Sequence, residues 1–359
     1  MISVVVIDDS AFMRKALSSM LEKDPEIRVV ATGRDGEEGL EMVRRHNPHV
    51  VTLDIEMPRM DGLTALRHIM MEMPRPVLMV SSLTTEGAEA TLKALELGAV
   101  DFIPKQLSKV SLEIVKIEDN LRAKVKEIAH RKVRMPLARR LPSHAAAGEG
   151  LHRADALAAP LVRPATGRLV RDVVAIGVST GGPPAVQKVL AALPADFPTG
   201  ILIAQHMPAA FTGPFAKRLD GSCKISVKEA ETGDKVLPGT CFVAPGGKHI
   251  KLGGKGGGLE IVVCEEPADA LYKPSANVLI GSVAERMGKR ALGVILTGMG
   301  NDGMEGVRAL KEKGGRALAQ SDATCVVYGM PKAIVDANLA DEVVDLDNMA
   351  EAMLGNLYK

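Results

Sequence analysis

From Ser3 to Ile103 the chain alternates short β-branched apolar runs with stretches of helical spacing. Ser3–Ile7, Arg28–Ala31, Val50–Leu53, Val77–Val80 and Val100–Ile103 read as strands. Ala11–Glu22, Gly36–Arg45, Gly62–Met71 and Thr85–Leu97 read as helices, with Ser10 placed to cap the first. Uninterrupted apolar strands alternating with helices predict a parallel sheet covered on both faces. The amphipathic stretch Glu113–Ala129 closes this unit.

The pattern then lapses. Arg131 to Arg171 holds nine Lys/Arg against two acids, with repeated Ala, Pro and Gly, and reads as a linker. A second alternation begins at Asp172. Val173–Ile176, Gly200–Ala204, Leu292–Leu296, Arg316–Ala319 and Val343–Val344 are strand-like. Ala185–Leu193, Ser275–Met287, Met304–Lys313, Pro331–Ala337 and Met349–Leu357 are helix-like. Cys241–Val243 and Glu260–Val263 suggest an inserted β region. The expected fold is α/β throughout: a doubly wound domain over 1–125, a helix end and basic linker over 126–171, and a second doubly wound domain over 172–359.

Composition narrows the function. A chain of 359 residues suits two domains. No Trp and 3% aromatics leave little for stacking nucleic-acid bases, and a net charge of +1 gives no general field for DNA or anionic lipid. Cys223, Cys241, Cys264 and Cys325 form no C-x-x-C pair, so zinc is not expected and reduced thiols are. No basic leader precedes the first apolar run, and no stretch reaches the ~18 apolar residues of a membrane helix. A cytoplasmic protein without nucleic-acid partner or membrane insertion is expected.

Asp8 and Asp9 follow the first strand and Asp54 follows the third, so a doubly wound sheet gathers them beyond its carboxyl edge. Three carboxylates there repel unless a cation joins them, and Mg2+ suits such oxygens. Ser81 and Lys105, after strands four and five, can bind a phosphoryl oxygen. The runs Val-Val-Val-Ile-Asp-Asp-Ser, Thr-Leu-Asp-Ile-Glu-Met-Pro-Arg-Met-Asp-Gly, Met-Val-Ser-Ser and Leu-Gly-Ala-Val-Asp-Phe-Ile-Pro-Lys resemble a two-component receiver domain. The resemblance implies phosphorylation at Asp54, Mg2+ held by Asp8, Asp9 and Asp54, and switch positions at Ser81 and Phe102, with a chemotaxis histidine kinase as phosphodonor. Gln106 stands where receivers usually carry proline after the lysine.

Gly177-Val178-Ser179-Thr180-Gly181 is a G-x-S-x-G between a strand and a helix, a context that exposes a nucleophilic hydroxyl, although glycine-rich nucleotide-binding turns share it. His206 follows the next strand and is a candidate base. Asp302 follows a later one, where it either orients the imidazole or caps a helix. The order Ser, His, Asp differs from that of α/β-hydrolases. Ile-Gly-Val-Ser-Thr-Gly-Gly, Gln-His-Met-Pro, Val-Ala-Pro-Gly-Gly-Lys-His, Lys-Pro-Ser-Ala-Asn-Val-Leu and Leu-Thr-Gly-Met-Gly-Asn-Asp-Gly together resemble the catalytic domain of chemotaxis protein-glutamate methylesterases. That resemblance implies Ser179 as nucleophile, His206 as base, Asp302 as orienter, and oxyanion donors near Thr180 and Met299. The substrate would be methyl-accepting chemotaxis receptors, with glutamine deamidation a further activity and no cofactor at this site. A non-enzymatic response regulator whose second domain only binds a partner is the rival, and a DNA-binding regulator lacks a helix-turn-helix signature.

Overall fold

The first five apolar runs form one sheet in the computed structural model, which describes residues 1–105, 111–129, 167–254 and 258–359. In chain order the elements are β1 (Ile2–Ile7), α1 (Ala11–Glu22), β2 (Ile27–Gly33), α2 (Gly36–His46), β3 (Val50–Asp54), α3 (Gly62–Glu72), β4 (Val77–Ser81), α4 (Thr85–Glu96), β5 (Asp101–Pro104) and α5 (Ser111–Ala129). The strands are parallel in the order β2-β1-β3-β4-β5. Val4 to Ile7 are fully buried because helices cover both faces, which is why the run is continuous rather than alternating. Each such side chain contributes roughly 1.5–3 kcal/mol by leaving water. Ser10, Asp35, Asp61 and Thr84 cap α1 to α4 through their side-chain oxygens. The Ile103–Pro104 bond is trans, and Gln106 lies outside the described residues, as does most of the stretch read as a linker.

The second unit comprises β6 (Val173–Val178), α6 (Gly182–Ala192), β7 (Gly200–Gln205), α7 (Ala209–Asp220), β8 (Ser226–Glu229), β9 (Thr240–Val243), β10 (His249–Gly253), β11 (Glu260–Cys264), α8 (Ala276–Met287), β12 (Ala291–Ile295), α9 (Met304–Glu312), β13 (Arg316–Gln320), α10 (Met330–Asp336), β14 (Glu342–Val344) and α11 (Met349–Leu357). Its seven-stranded parallel sheet runs β14-β13-β12-β6-β7-β9-β8. The expected inserted β region divides in two. Cys241–Val243 joins the main sheet beside β7, while β11 pairs antiparallel with β10 in a separate hairpin. The patterning missed α7, which contains Pro214, and the short strands β8 and β10. None of the four cysteines forms a disulfide among the described residues, and Cys241 and Cys325 are buried.

The two units meet along α4, β5 and α5 of the first. Phe102 on β5 stacks on Phe211 of α7, centroids 4.4 Å apart. Glu96 at the end of α4 accepts hydrogen bonds from Arg218 Nε at 2.8 Å and Gln187 Nε2 at 3.5 Å. Leu92, Leu95 and Phe102 belong to the same apolar cluster as Phe211 and Phe215.

Candidate functional site

Both sheets reverse direction of growth once, and both sites lie there. In the first, β1 and β3 are neighbours, so Asp8, Asp9 and Asp54 converge with carboxylate oxygens within 4.8 Å of one another. Lys105 Nζ lies 2.6 Å from Asp54 and 3.0 Å from Asp8. Asp54 is 2% exposed, and burial pushes its carboxyl up to about 6, helped by the charge of Asp8 and opposed by Lys105 and the Ile55 amide. An all-carboxylate oxygen set, crowded and short of donors, is what a hard divalent cation requires.

Ser81 lines this pocket with Asp54 and Lys105, but its hydroxyl is engaged with α4. Ser81 Oγ accepts from Thr91 Oγ1 at 2.6 Å and lies 3.2 Å from the Gly87 carbonyl, both on α4. Phe102 is buried in the contact with α7.

In the second sheet, β6 is flanked by β7 and β12, so the loops after these three strands meet. They carry Ser179, His206 and Asp302. His206 Nδ1 lies 3.1 Å from Ser179 Oγ, and its Nε2 lies 2.8 Å from Asp302 Oδ2. A carboxylate only accepts, so the ring proton sits on Nε2 and the Nδ1 lone pair faces the serine hydroxyl. This is the reverse of the nitrogen assignment in the chymotrypsin template, with the same connectivity.

Close approach of the backbone makes this possible. Gly181 takes φ +74°, which lets the chain turn from β6 into α6. A Cβ on Gly298 would come within 2.8 Å of the Ser179 Cβ, so only glycine lets that loop pass Ser179. Gln205 Nε2 donates to the Ser179 carbonyl at 2.9 Å and steadies the turn. Among the described residues, the amides of Thr180 and Met299 donate to no protein group.

Asp302 lies directly before α9, whose N-cap is Gly303, but its carboxylate is aimed at the start of α8 instead. It accepts from His206, Ala276 N at 2.6 Å, Asn277 N at 3.0 Å and Ser275 Oγ at 2.9 Å. Burial pushes its carboxyl up, but the His206 contact and the Asn277 and Ala276 amides outweigh that and hold it below the ordinary 3.8.

Sequence reasoning passed over Tyr272, whose ring stacks on His206 at 4.1 Å and 10°. It also passed over Asp101, which accepts from Thr180 Oγ1 at 2.6 Å, one residue from Ser179. Ser275 and Asn277 lay inside a quoted motif without a role. Met299 and Val326 pack on an apolar cluster that joins Val327 to Ile103 and Leu121 of the first unit.

Compared with known proteins, residues 174–353 match the CheB methylesterase family and residues 4–115 the response regulator receiver domain. The chain is 72% identical over 367 residues to protein-glutamate methylesterase/protein-glutamine glutaminase 2 of Nitratidesulfovibrio vulgaris, covering 100% of both chains. It is 57% identical over 371 residues to the protein-glutamate methylesterase/protein-glutamine glutaminase of Lawsonia intracellularis, again covering 100% of both. The crystal structure of the Thermotoga maritima CheB methylesterase catalytic domain is 36% identical, covers 51% of this chain and 97% of that one, and superposes with a TM-score of 0.50. These relatives set aside the non-enzymatic reading: the chain belongs to the protein-glutamate methylesterase family, with a receiver domain joined to a CheB methylesterase domain.

Proposed function

We propose that this chain hydrolyses glutamate γ-methyl esters of methyl-accepting chemotaxis receptors, releases methanol, and deamidates receptor glutamines, at a rate set by phosphorylation of Asp54. The observation that carries this is the unbroken hydrogen-bonded chain Ser179–His206–Asp302 beside two free backbone amides. Ser179 Oγ attacks the ester carbonyl while His206 Nδ1 takes its proton. The oxyanion accepts from Thr180 N and Met299 N. Collapse expels methoxide, which leaves as methanol with the proton held by His206. Water then attacks the acyl-enzyme by the same route, restoring Ser179 and yielding glutamate. A glutamine substrate follows the same path with ammonia leaving. Asp302 keeps the imidazole oriented and stabilises its charged form.

Asp54 is the phosphoryl acceptor in this reading, and a chemotaxis histidine kinase the donor. Asp8, Asp9 and Asp54 would hold Mg2+, which supplies positive charge against the donor's phosphoryl oxygens. Lys105 and Ser81 would bind the phosphoryl group once formed. The working domains are 1–125, a linker over 126–171, and 172–359, acting in the cytoplasm. Among the described residues no helix is long and apolar enough to cross a membrane. The unphosphorylated receiver covers the cleft through Asp101–Thr180, Phe102–Phe211 and Glu96–Arg218. Drawing Ser81 toward a phosphoryl group removes it from Thr91 and Gly87, which loosens α4 and this contact.

The test is methanol release from methylated receptor membranes, with and without acetyl phosphate and magnesium. Release that rises with phosphodonor is expected. No release in either condition overturns the reading.

A further inference from the structure

Asp302 must hold one orientation while His206 gains and loses charge, yet it sits in a loop. What fixes it is the N-terminus of α8, and that terminus is itself pinned from two sides. On one side is His249, the first residue of β10, fully buried. Its Nδ1 accepts the Ser275 amide at 3.2 Å, and Ser275 Oγ in turn donates to Asp302. Burial, with the charges of Lys273 and Lys251, pushes His249 below its ordinary value against the pull of Pro267 and Asp302, so the ring stays neutral and able to accept. Its other nitrogen faces the Pro267 carbonyl without completing a hydrogen bond, in the loop that leads to Tyr272.

On the other side is Asn277. Its amide donates to Asp302 Oδ1, while its side-chain oxygen accepts from Gly303 N and Gly306 N, both at 2.9 Å. The exchange is reciprocal. The carboxylate of Asp302, before α9, caps α8, and the carboxamide of Asn277, in α8, caps α9. A change in either bond moves the two helix starts relative to one another, and the carboxylate with them.

We propose that His249 and Asn277 are positioning residues for hydrolysis, fixing the start of α8 and thereby the carboxylate that orients His206. This rests on the reading of Ser179, His206 and Asp302 as the reacting unit. Neither residue touches substrate. Their loss therefore lowers kcat and leaves KM nearly unchanged, and the loss vanishes when Asp302 has no carboxylate to place.

The experiment uses the full chain and radiolabelled methyl esters on receptor membranes, so that weak variants remain measurable. His249→Phe and Asn277→Ala should each lower kcat by about 10- to 100-fold, the scale of a small misplacement of a catalytic group, with KM within about twofold. His249→Asn should recover most of the rate, since its Oδ1 takes the place of Nδ1. In an Asp302→Ala background each should cost less than about twofold. Equal losses in both backgrounds, or full activity of Asn277→Ala, overturn the proposal. Should His249→Phe fail to fold, His249→Asn and the half-buried Asn277 still decide it. An Asp302→Ala chain as fast as wild type would sink the triad reading itself, whereas a severe Asp302→Ala with additive losses sinks only the positioning role.

Discussion

Asp54 and Asp302 are both buried aspartates just beyond parallel strands at the turning point of a doubly wound sheet, and their environments drive them in opposite directions. Asp54 faces Asp8, with Lys105 as its counter-charge and one amide at Ile55, and its carboxyl is pushed up to about 6. Asp302 is as deeply buried but takes four hydrogen bonds, three of them from the start of α8, and is held below 3.8. Burial raises both; the number of donors decides the outcome. A crowded, donor-poor carboxylate is left with charge to share with a cation or a phosphoryl group. A donor-rich one stays ionised at neutral pH and is suited to be a fixed counter-charge for an imidazolium.

The largest effect separates the two pockets. Ser179→Ala should cut methanol release by on the order of 10³-fold or more with the fold intact, whereas Asp54→Asn should leave basal release unchanged and abolish only the response to phosphodonor. Release within tenfold of wild type for Ser179→Ala would reduce that serine to a turn residue. Next, His206→Ala and Asp302→Ala should each be severe and the double variant little worse than the poorer single, because the pair acts as a unit. Additive losses would leave Asp302 as no more than the cap of α8.

The contact between the halves comes third. A fragment starting near Val170 should outpace the unphosphorylated full chain and ignore phosphodonor; a fragment no faster would mean the receiver positions substrate rather than covering the cleft. A milder version reverses one charge. Glu96→Lys removes the acceptor for Arg218 and Gln187 and should raise basal release about two- to fivefold, in keeping with a partly exposed ion pair.

The smallest effect tests the comparison directly. The folded pKa of Asp302 is depressed, so the stability it contributes is complete above about 3.8 and fades as pH falls through the lower folded value. Asp302→Asn should flatten the fall of Tm on that acid side. Asp54 has the opposite sign. Its folded value of about 6 lies above the unfolded 3.8, so the folded chain binds more protons between them and loses stability as pH rises through that window. In metal-free buffer Asp54→Asn should remove that decline. Parallel shifts for both variants would contradict the difference in environment.

Patterning alone placed all ten helix and strand runs of the first unit to within about two residues at each end, because a two-sided buried strand and an amphipathic helix leave unmistakable local signatures, as in Val4–Ile7 and Gly36–His46. The ends of the strands in the two sheets also marked Asp8, Asp9 and Asp54 in the first and Ser179, His206 and Asp302 in the second, since every strand in a parallel sheet points its carboxyl end to the same edge. Helix α7 was not legible, because Pro214 interrupts its pattern and its burial comes from the other half of the chain through Phe102 and Leu92. Nor could any local pattern reveal that Tyr272 stacks on His206, that Asp101 reaches Thr180, or that Asn277 and Asp302 cap each other's helices. Local sequence determines which segments are apolar, turn or capped, and hence which residues arrive at an edge. Which of those residues touch, and whether a buried aspartate meets four donors or another carboxylate, depends on segments dozens of residues apart, and only the packed chain decides it.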